Sequence, residues 1–207
     1  MSSRGAVFLV DDDDDLRRAT QRLLAASGFE VQEFRSAEEF LAAFDPKQPG
    51  CLLLDMRMPG QSGLELQRTL AERGAAPPIV FLTGRADVPT SVYAMKQGAI
   101  DFLEKPVRED ERVLALERAL ALDARLRQER GERARIERRY DRLTPREREV
   151  FTEIVAGRLN KQAAYALGIA ERTVKLHRSR VLEKMGAGSV ADLVRMAELL
   201  DLGPKQP

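Results

Sequence analysis

The chain has 207 residues, room for one large domain or two ordinary ones. Hydrophobic residues make up 43%, enough for cores, and charged residues 32%, above the usual quarter. The formal net charge of +1 points to no partner, and a single cysteine excludes an internal disulfide.

The distribution of charge is more informative. Residues 1–107 carry 12 basic and 16 acidic groups, residues 108–142 carry 11 and 9, and residues 143–207 carry 11 and 8. An acidic first half and a basic last third suggest different partners. Cys51 opens an apolar run and reads as a buried hydrophobe in a reducing compartment. The start of the chain, Met1 to Gly5, lacks a signal-peptide core, and no apolar run is long enough to span a bilayer. The expectation is a soluble cytoplasmic protein with no membrane partner.

Ala6 to Val10 reads as a strand, followed by five aspartates, Asp11 to Asp15. The later ones can cap and favourably charge a helix from Leu16 to Ser27. Asp11 and Asp12, at the strand end, repel each other unless a cation sits between them. Glu30 to Phe34 is a second strand. Ser36 and Glu39 have capping-box spacing before a helix to Phe44. Cys51 to Asp55 is a third strand, three leucines running into one aspartate with Pro59-Gly60 beyond. A helix over Ser62 to Arg73, a strand over Ile79 to Leu82, a helix over Val88 to Gln97 and a strand over Asp101 to Leu103 follow. Another helix begins near Asp110.

Strands alternating with helices predict an α/β, doubly wound, five-stranded parallel sheet. Every parallel strand ends on the same edge. Asp11, Asp12, Asp55, Thr83 and Lys105 all follow strands, so they should converge there. With strand order 2-1-3-4-5, strands one and three meet at the switch point, where ligands bind. Three carboxylates with a hydroxyl and an ammonium suit a small hard cation, Mg²⁺ keeping several waters. Lys105 and Thr83 would each hold an oxygen of a phosphoryl group arriving on Asp55.

Val10-Asp11-Asp12, Leu54 to Gly60, Leu82-Thr83-Gly84 and Phe102 to Pro106 resemble the flavodoxin-like receiver domain of two-component response regulators, over residues 5–120. The resemblance implies that Asp55 accepts a phosphoryl group from a sensor histidine kinase. It implies Mg²⁺ held by Asp12, Asp55 and the backbone carbonyl of Arg57, with Asp11 helping. It also implies that Thr83 and Phe102 move together as a switch; plain core packing is the other reading of Phe102. Arg57 and Arg85, two residues beyond Asp55 and Thr83, either shield the acyl phosphate or stay exposed.

From Arg125 to Arg139 the chain is Arg- and Glu-rich, with Leu126 and Ile136 its large apolar residues. Opposite charges recur near i,i+4 spacing and no heptad is sustained. A long, largely solvated helix is expected, with a flexible linker as the alternative. The domains expected are 1–120, a helical linker 121–141, and 142–207.

Thr144-Pro145-Arg146-Glu147 is a capping box with proline at the first helical position. Val150, Phe151, Ile154 and Val155 give that helix its apolar face, and Gly157 ends it. Asn160 can cap a helix from Lys161 to Leu167. Gly168 makes a turn, and a second helix runs from Arg172 to Met185. This is a helix-turn-helix pattern. Val174, Val181 and Leu182 face inward, leaving Lys175, Arg178, Ser179 and Arg180 outside, which fits a DNA major groove. Val190 to Leu200 forms a last amphipathic helix, and residues 203–207 read as a frayed tail.

The Leu-Thr-Pro-Arg-Glu opening, Asn160-Lys161 and Thr173-Val174-Lys175 resemble the LuxR-type output domain, and with this receiver the chain is similar to FixJ-type regulators. The resemblance implies Lys175, Leu176 and Ser179 toward bases, and Lys161, Thr173, Arg178 and Arg180 nearer phosphates. Ala170 stands where a serine would cap the recognition helix, a cost of about 1 kcal/mol. His177 is given a structural or DNA-backbone role. The reading is a transcriptional regulator that homodimerises when phosphorylated and binds double-stranded promoter DNA, with RNA polymerase as a further candidate partner. It is no enzyme beyond its own aspartyl phosphorylation and dephosphorylation with Mg²⁺. A phosphohydrolase needs a second aspartate at position 57, which is arginine. A small-molecule sensor needs an aromatic-rich pocket, and the chain has no Trp and 5% aromatics.

Overall fold

The computed structural model describes residues 4–74, 76–84 and 88–203. Contacts divide it into two compact units, residues 1–126 and 127–207. Arg85 and residues 204–207, part of the expected tail, lie outside the described residues.

The first unit alternates strand and helix: β1 (Ala6–Val10), α1 (Asp14–Ala26), β2 (Glu30–Phe34), α2 (Ala37–Ala43), β3 (Cys51–Asp55), α3 (Gly63–Glu72), β4 (Ile79–Thr83), α4 (Val88–Lys96), β5 (Asp101–Glu104) and α5 (Glu109–Asp141). The strands form one parallel sheet in the order β2-β1-β3-β4-β5. Period-two alternation sorts their side chains into two cores. Val7, Leu9, Cys51, Leu53, Val80 and Leu82 pack with Leu24 of α1 and Leu116 of α5. Phe8, Val10, Leu52, Leu54 and Phe81 pack with Phe40 of α2, Leu66 of α3 and Ala94 of α4. Because both faces are covered, the central strands are continuously apolar. Burial pushes the Cys51 thiol up to about 12, with the Asp123 charge adding to it, which leaves the group inert.

Local chemistry sets the helix starts. Asp13 caps α1 by accepting from the N–H groups of Asp15 and Leu16, each at 3.0 Å. Ser36 accepts from the Glu39 N–H, but the Glu39 carboxylate turns to the Arg35 N–H at 2.6 Å, so the predicted box there is half closed.

The second unit holds the end of α5 with α6 (Pro145–Val155), α7 (Asn160–Leu167), α8 (Glu171–Met185) and α9 (Val190–Leu199). Thr144 and Glu147 close a complete capping box on α6. Val150, Phe151, Ile154, Val174, Val181, Met185 and Leu193 form the core. Within this unit α5 is less solvated than its composition predicts. Ile136 is 3% exposed inside that core, and the Tyr140 ring stacks edge-on to Phe151 at 5.3 Å. Asn160 does not cap α7: it is the first helical residue, preceded by Leu159. Leucine has no acceptor, so the side-chain bond at this end comes from Gln162, whose Oε1 accepts from the Leu159 N–H at 2.8 Å.

Candidate functional site

Asp11, Asp12 and Asp55 offer ligand oxygens that all lie within 4.8 Å of one another at the carboxyl edge of the sheet. Asp11 directly follows β1 and is 1% exposed, Asp12 is exposed, and Asp55 ends the neighbouring strand β3 and is half-buried. The Lys105 Nζ, beyond β5, donates to Asp11 Oδ2 at 2.9 Å and stands 3.3 Å from Asp55 Oδ1. One ammonium thus ties two of the three carboxylates. The Lys105 N–H donates to the Thr83 carbonyl at 2.7 Å, which fixes the loop to the end of β4. Thr83 itself is buried. Arg57 is exposed, between buried Met56 and Met58. Phe102 is half-buried, its ring 6.3 Å from that of Phe81.

Burial raises the Asp55 carboxyl above its usual range, the Lys105 charge opposes this, and the neighbouring Asp11 charge adds to it. The Asp55 Oδ1 also accepts from the Met56 N–H at 2.9 Å. A hard divalent cation fits this donor set, since three clustered carboxylates face a single lysine and at least one is held short of easy ionisation. Asp11, Asp12 and Asp55 are the side chains that could hold it.

Arg17 was not singled out from the sequence. It is buried beneath the cluster, where Nη1 donates to the Asp11 carbonyl at 2.9 Å and the guanidinium pairs with Asp14 and Glu33. Its one sequence signal is a basic residue in the first turns of a helix opened by aspartates.

On α8, Lys175, Leu176, Ser179 and Arg180 are exposed and Thr173 and Arg178 half-buried; Lys161 on α7 is exposed. The Arg178 Nη1 donates to Asn160 Oδ1 at 3.1 Å, tying the two helices at their outer surface. This is where the amide expected to cap α7 is used. Ala170 precedes α8 with no side-chain cap. His177 is half-buried, with no hydrogen-bond partner for its buried Nδ1. At the far end of α8 the Arg139 Nη1 donates to the Met185 carbonyl at 2.9 Å. Gly186, at φ +64°, permits this approach, since a β-carbon there would meet Arg139 Nη1 at 2.9 Å.

No helix among the described residues is long and apolar enough to cross a membrane. Residues 7–117 match the response regulator receiver domain, and residues 141–197 match the bacterial regulatory proteins of the luxR family. Nodulation protein W of Bradyrhizobium diazoefficiens is 43% identical, covering 97% of this chain and 88% of that protein. The transcriptional regulatory protein FixJ of Rhizobium meliloti is 42% identical, covering 96% and 97%. Among solved structures, the response regulator StyR superposes with a TM-score of 0.83 at 46% identity, covering 94% of this chain and 98% of that one. A two-domain pattern shared along nearly the whole of such relatives leaves one assignment: the chain belongs to the response regulators of two-component systems, as a transcriptional regulator with a receiver domain and a LuxR-type DNA-binding domain.

Proposed function

We propose that Asp55 is the phosphoryl acceptor of this regulator and that phosphorylation controls DNA binding through α8. A carboxylate oxygen of Asp55 attacks the phosphorus of a phosphohistidine on a sensor histidine kinase. The phosphorus–nitrogen bond breaks, its electron pair stays on the imidazole, and an acyl phosphate forms. Water later cleaves the phosphorus–oxygen bond and returns the carboxylate. The reading is supported above all by the Lys105 ammonium, 2.9 Å from Asp11 and 3.3 Å from Asp55. It can leave a carboxylate for an incoming phosphoryl oxygen without moving far. Thr83 is assigned a second phosphoryl oxygen. Mg²⁺ bound by Asp11, Asp12, Asp55 and the backbone carbonyl of Arg57 supplies charge neutralisation. Beyond this self-modification the protein is assigned no enzymatic activity.

Thr83 and Phe102 are assigned the switch that reports the phosphoryl group, and the outcome is a homodimer. Two helix-turn-helix units then act as one bivalent ligand on an inverted repeat. Lys175, Leu176 and Ser179 approach base edges; Lys161, Thr173, Arg178 and Arg180 neutralise phosphates. RNA polymerase is a further partner consistent with a transcriptional regulator.

The test uses the full chain and Asp55→Asn with Mg²⁺ and acetyl phosphate, followed by intact mass. Wild type gains one labile phosphoryl group and Asp55→Asn gains none. A wild type that gains nothing, or a variant that gains as much, overturns the assignment.

A further inference from the structure

Every polar group of Asp11 is engaged within the receiver unit. Its N–H donates to the Phe34 carbonyl at 3.2 Å. Its Oδ1 accepts from the Asp13 N–H at 3.0 Å, and its Oδ2 from Lys105 at 2.9 Å. Its carbonyl accepts from Arg17 Nη1 at 2.9 Å. Asp12 is the opposite case. It is exposed, its carboxylate is a candidate metal ligand, and among the described residues that carboxylate has no hydrogen-bond or ion-pair partner. Its aim is left to the backbone. That backbone begins with the planar peptide group joining the Asp11 carbonyl to the Asp12 N–H. Arg17 holds this group by its carbonyl.

Arg17 is 4% exposed, near the start of α1. Its guanidinium is used in three directions: Nη1 donates to the Asp11 carbonyl, Nη2 to the Asp14 carboxylate, and Nε stands 3.6 Å from Glu33 Oε2 on β2. A rigid planar fork serves several acceptors at once. A lysine ammonium is a point charge on a flexible stem and cannot keep that geometry. Charge alone would give Arg17 the wrong effect, because a cation beneath a cation site repels the metal. Asp14 and Glu33, beside the guanidinium, offset that repulsion.

We infer that Arg17 is a positioning residue of the metal site: by fixing the Asp11–Asp12 peptide group it aims the Asp12 carboxylate, so that the cluster is set before Mg²⁺ arrives. Groups that orient metal ligands from behind are worth about 10–100-fold in affinity. A ligand whose backbone is fixed beforehand loses less freedom on binding. The inference rests on the Mg²⁺ site of the phosphoryl-acceptor reading, but not on Asp55 being the acceptor. At saturating Mg²⁺ the cluster is filled whether or not it was preset. Arg17 therefore governs how much Mg²⁺ the reaction needs, more than how fast the loaded protein reacts.

The experiment uses the full chain, Arg17→Lys and Arg17→Met. Mg²⁺ affinity is read from amide chemical shifts at Asp12, Asp55 and Met56 as Mg²⁺ is added at constant ionic strength, with no phosphodonor present. Labelling by acetyl phosphate is then followed against Mg²⁺ concentration. Arg17→Lys keeps the charge and loses the fork, and binds Mg²⁺ about tenfold or more weakly than wild type. Its half-saturating Mg²⁺ for labelling rises by the same factor, while its rate at saturating Mg²⁺ stays within about twofold of wild type. Arg17→Met also binds more weakly, although it has lost a repelling charge. Equal Mg²⁺ affinity in Arg17→Lys overturns the proposal. So does tighter binding in Arg17→Met, which would leave Arg17 a charge and nothing more. A saturated labelling rate that falls as far as the affinity overturns it too, being the mark of a receiver fold loosened throughout. Should Arg17→Met fail to fold, the lysine variant decides alone. A wild type that binds no Mg²⁺ overturns the proposal together with the metal site. A wild type that binds Mg²⁺ but gains no phosphoryl group sinks the acceptor reading alone, and the shift titrations still decide the role of Arg17.

Discussion

A β-carbon at Gly63 would stand 2.5 Å from the carbonyl oxygen of Asp55. The first turn of α3 therefore lies directly against the residue assigned as phosphoryl acceptor, and the Gly63 N–H donates to the Met56 carbonyl at 3.0 Å to hold it there. Gly63→Ala must push α3 or the end of β3 aside. The expected cost is about 1–3 kcal/mol in urea unfolding, as for overpacking elsewhere. The rate of acetyl phosphate labelling should fall with it, although no functional group has been removed. An unchanged labelling rate would show that the backbone of Asp55 tolerates the shift.

The raised Asp55 pKa makes a prediction about pH with a definite sign. Folded Asp55 holds its proton above the usual 3.8, so the native state binds more protons than the unfolded chain in that window. Metal-free protein therefore loses stability as pH rises from about 4 through the raised value. Asp55→Asn lacks this loss and should be the more stable of the two at neutral pH without metal. Adding Mg²⁺ should reverse the order by stabilising wild type more than the variant. Thermal melts with and without Mg²⁺ across this range measure both effects; identical metal responses would remove Asp55 from the metal site.

In the DNA-binding unit the Lys184 Nζ of α8 donates to Glu147 Oε2 at 2.6 Å. The same carboxylate accepts from the Thr144 N–H at 2.8 Å. Donation by Lys184 first, and then the Thr144 bonds, holds the Glu147 pKa at about 2, against burial that pushes it up. A depressed carboxylate pKa contributes stability that is present above its unfolded value of 4.5. That contribution is lost as pH falls through about 2. Glu147→Gln should cost about 1–2 kcal/mol at neutral pH, from the weakened cap and the lysine left without its anion. The difference from wild type should shrink as pH falls below 4.5. A cost independent of pH would mean that packing, and not charge, is what Glu147 supplies.

Arg178 and Asn160 give a prediction about recognition. If Arg178 neutralises a phosphate, Arg178→Ala weakens binding to all sequences alike and lowers the slope of log K against log salt by about 1. Asn160→Ala leaves the charge and removes only the 3.1 Å tether, so it should lower affinity while keeping the slope. Lys175→Ala should instead cost about 1–3 kcal/mol and relax preference at one base pair. Salt titrations on specific and unrelated duplexes distinguish the three.

Much of the site was legible in the chain because it is carried by backbone periodicity. The runs ending at Val10, Asp55, Thr83 and Glu104 are strands, parallel strands share an edge, and so Asp11, Asp12, Asp55 and Lys105 had to gather. The Thr144 box was equally legible, because its partners are three residues apart. Less was visible where a long side chain chooses among distant partners. Asn160 looked like a cap and serves Arg178, eighteen residues away. Ile136 looked isolated in a charged helix, and its burial depends on α6, α8 and α9 closing over it.

The sequence by itself determined the order of elements, the parallel sheet, the acidic edge and the helix-turn-helix, because each follows from local patterns of apolar and capping residues. Only the tertiary structure decided how Arg17 braces Asp11 and how Arg139 caps α8. A guanidinium on three methylenes can reach many acceptors, and which it meets is set by how the helices pack.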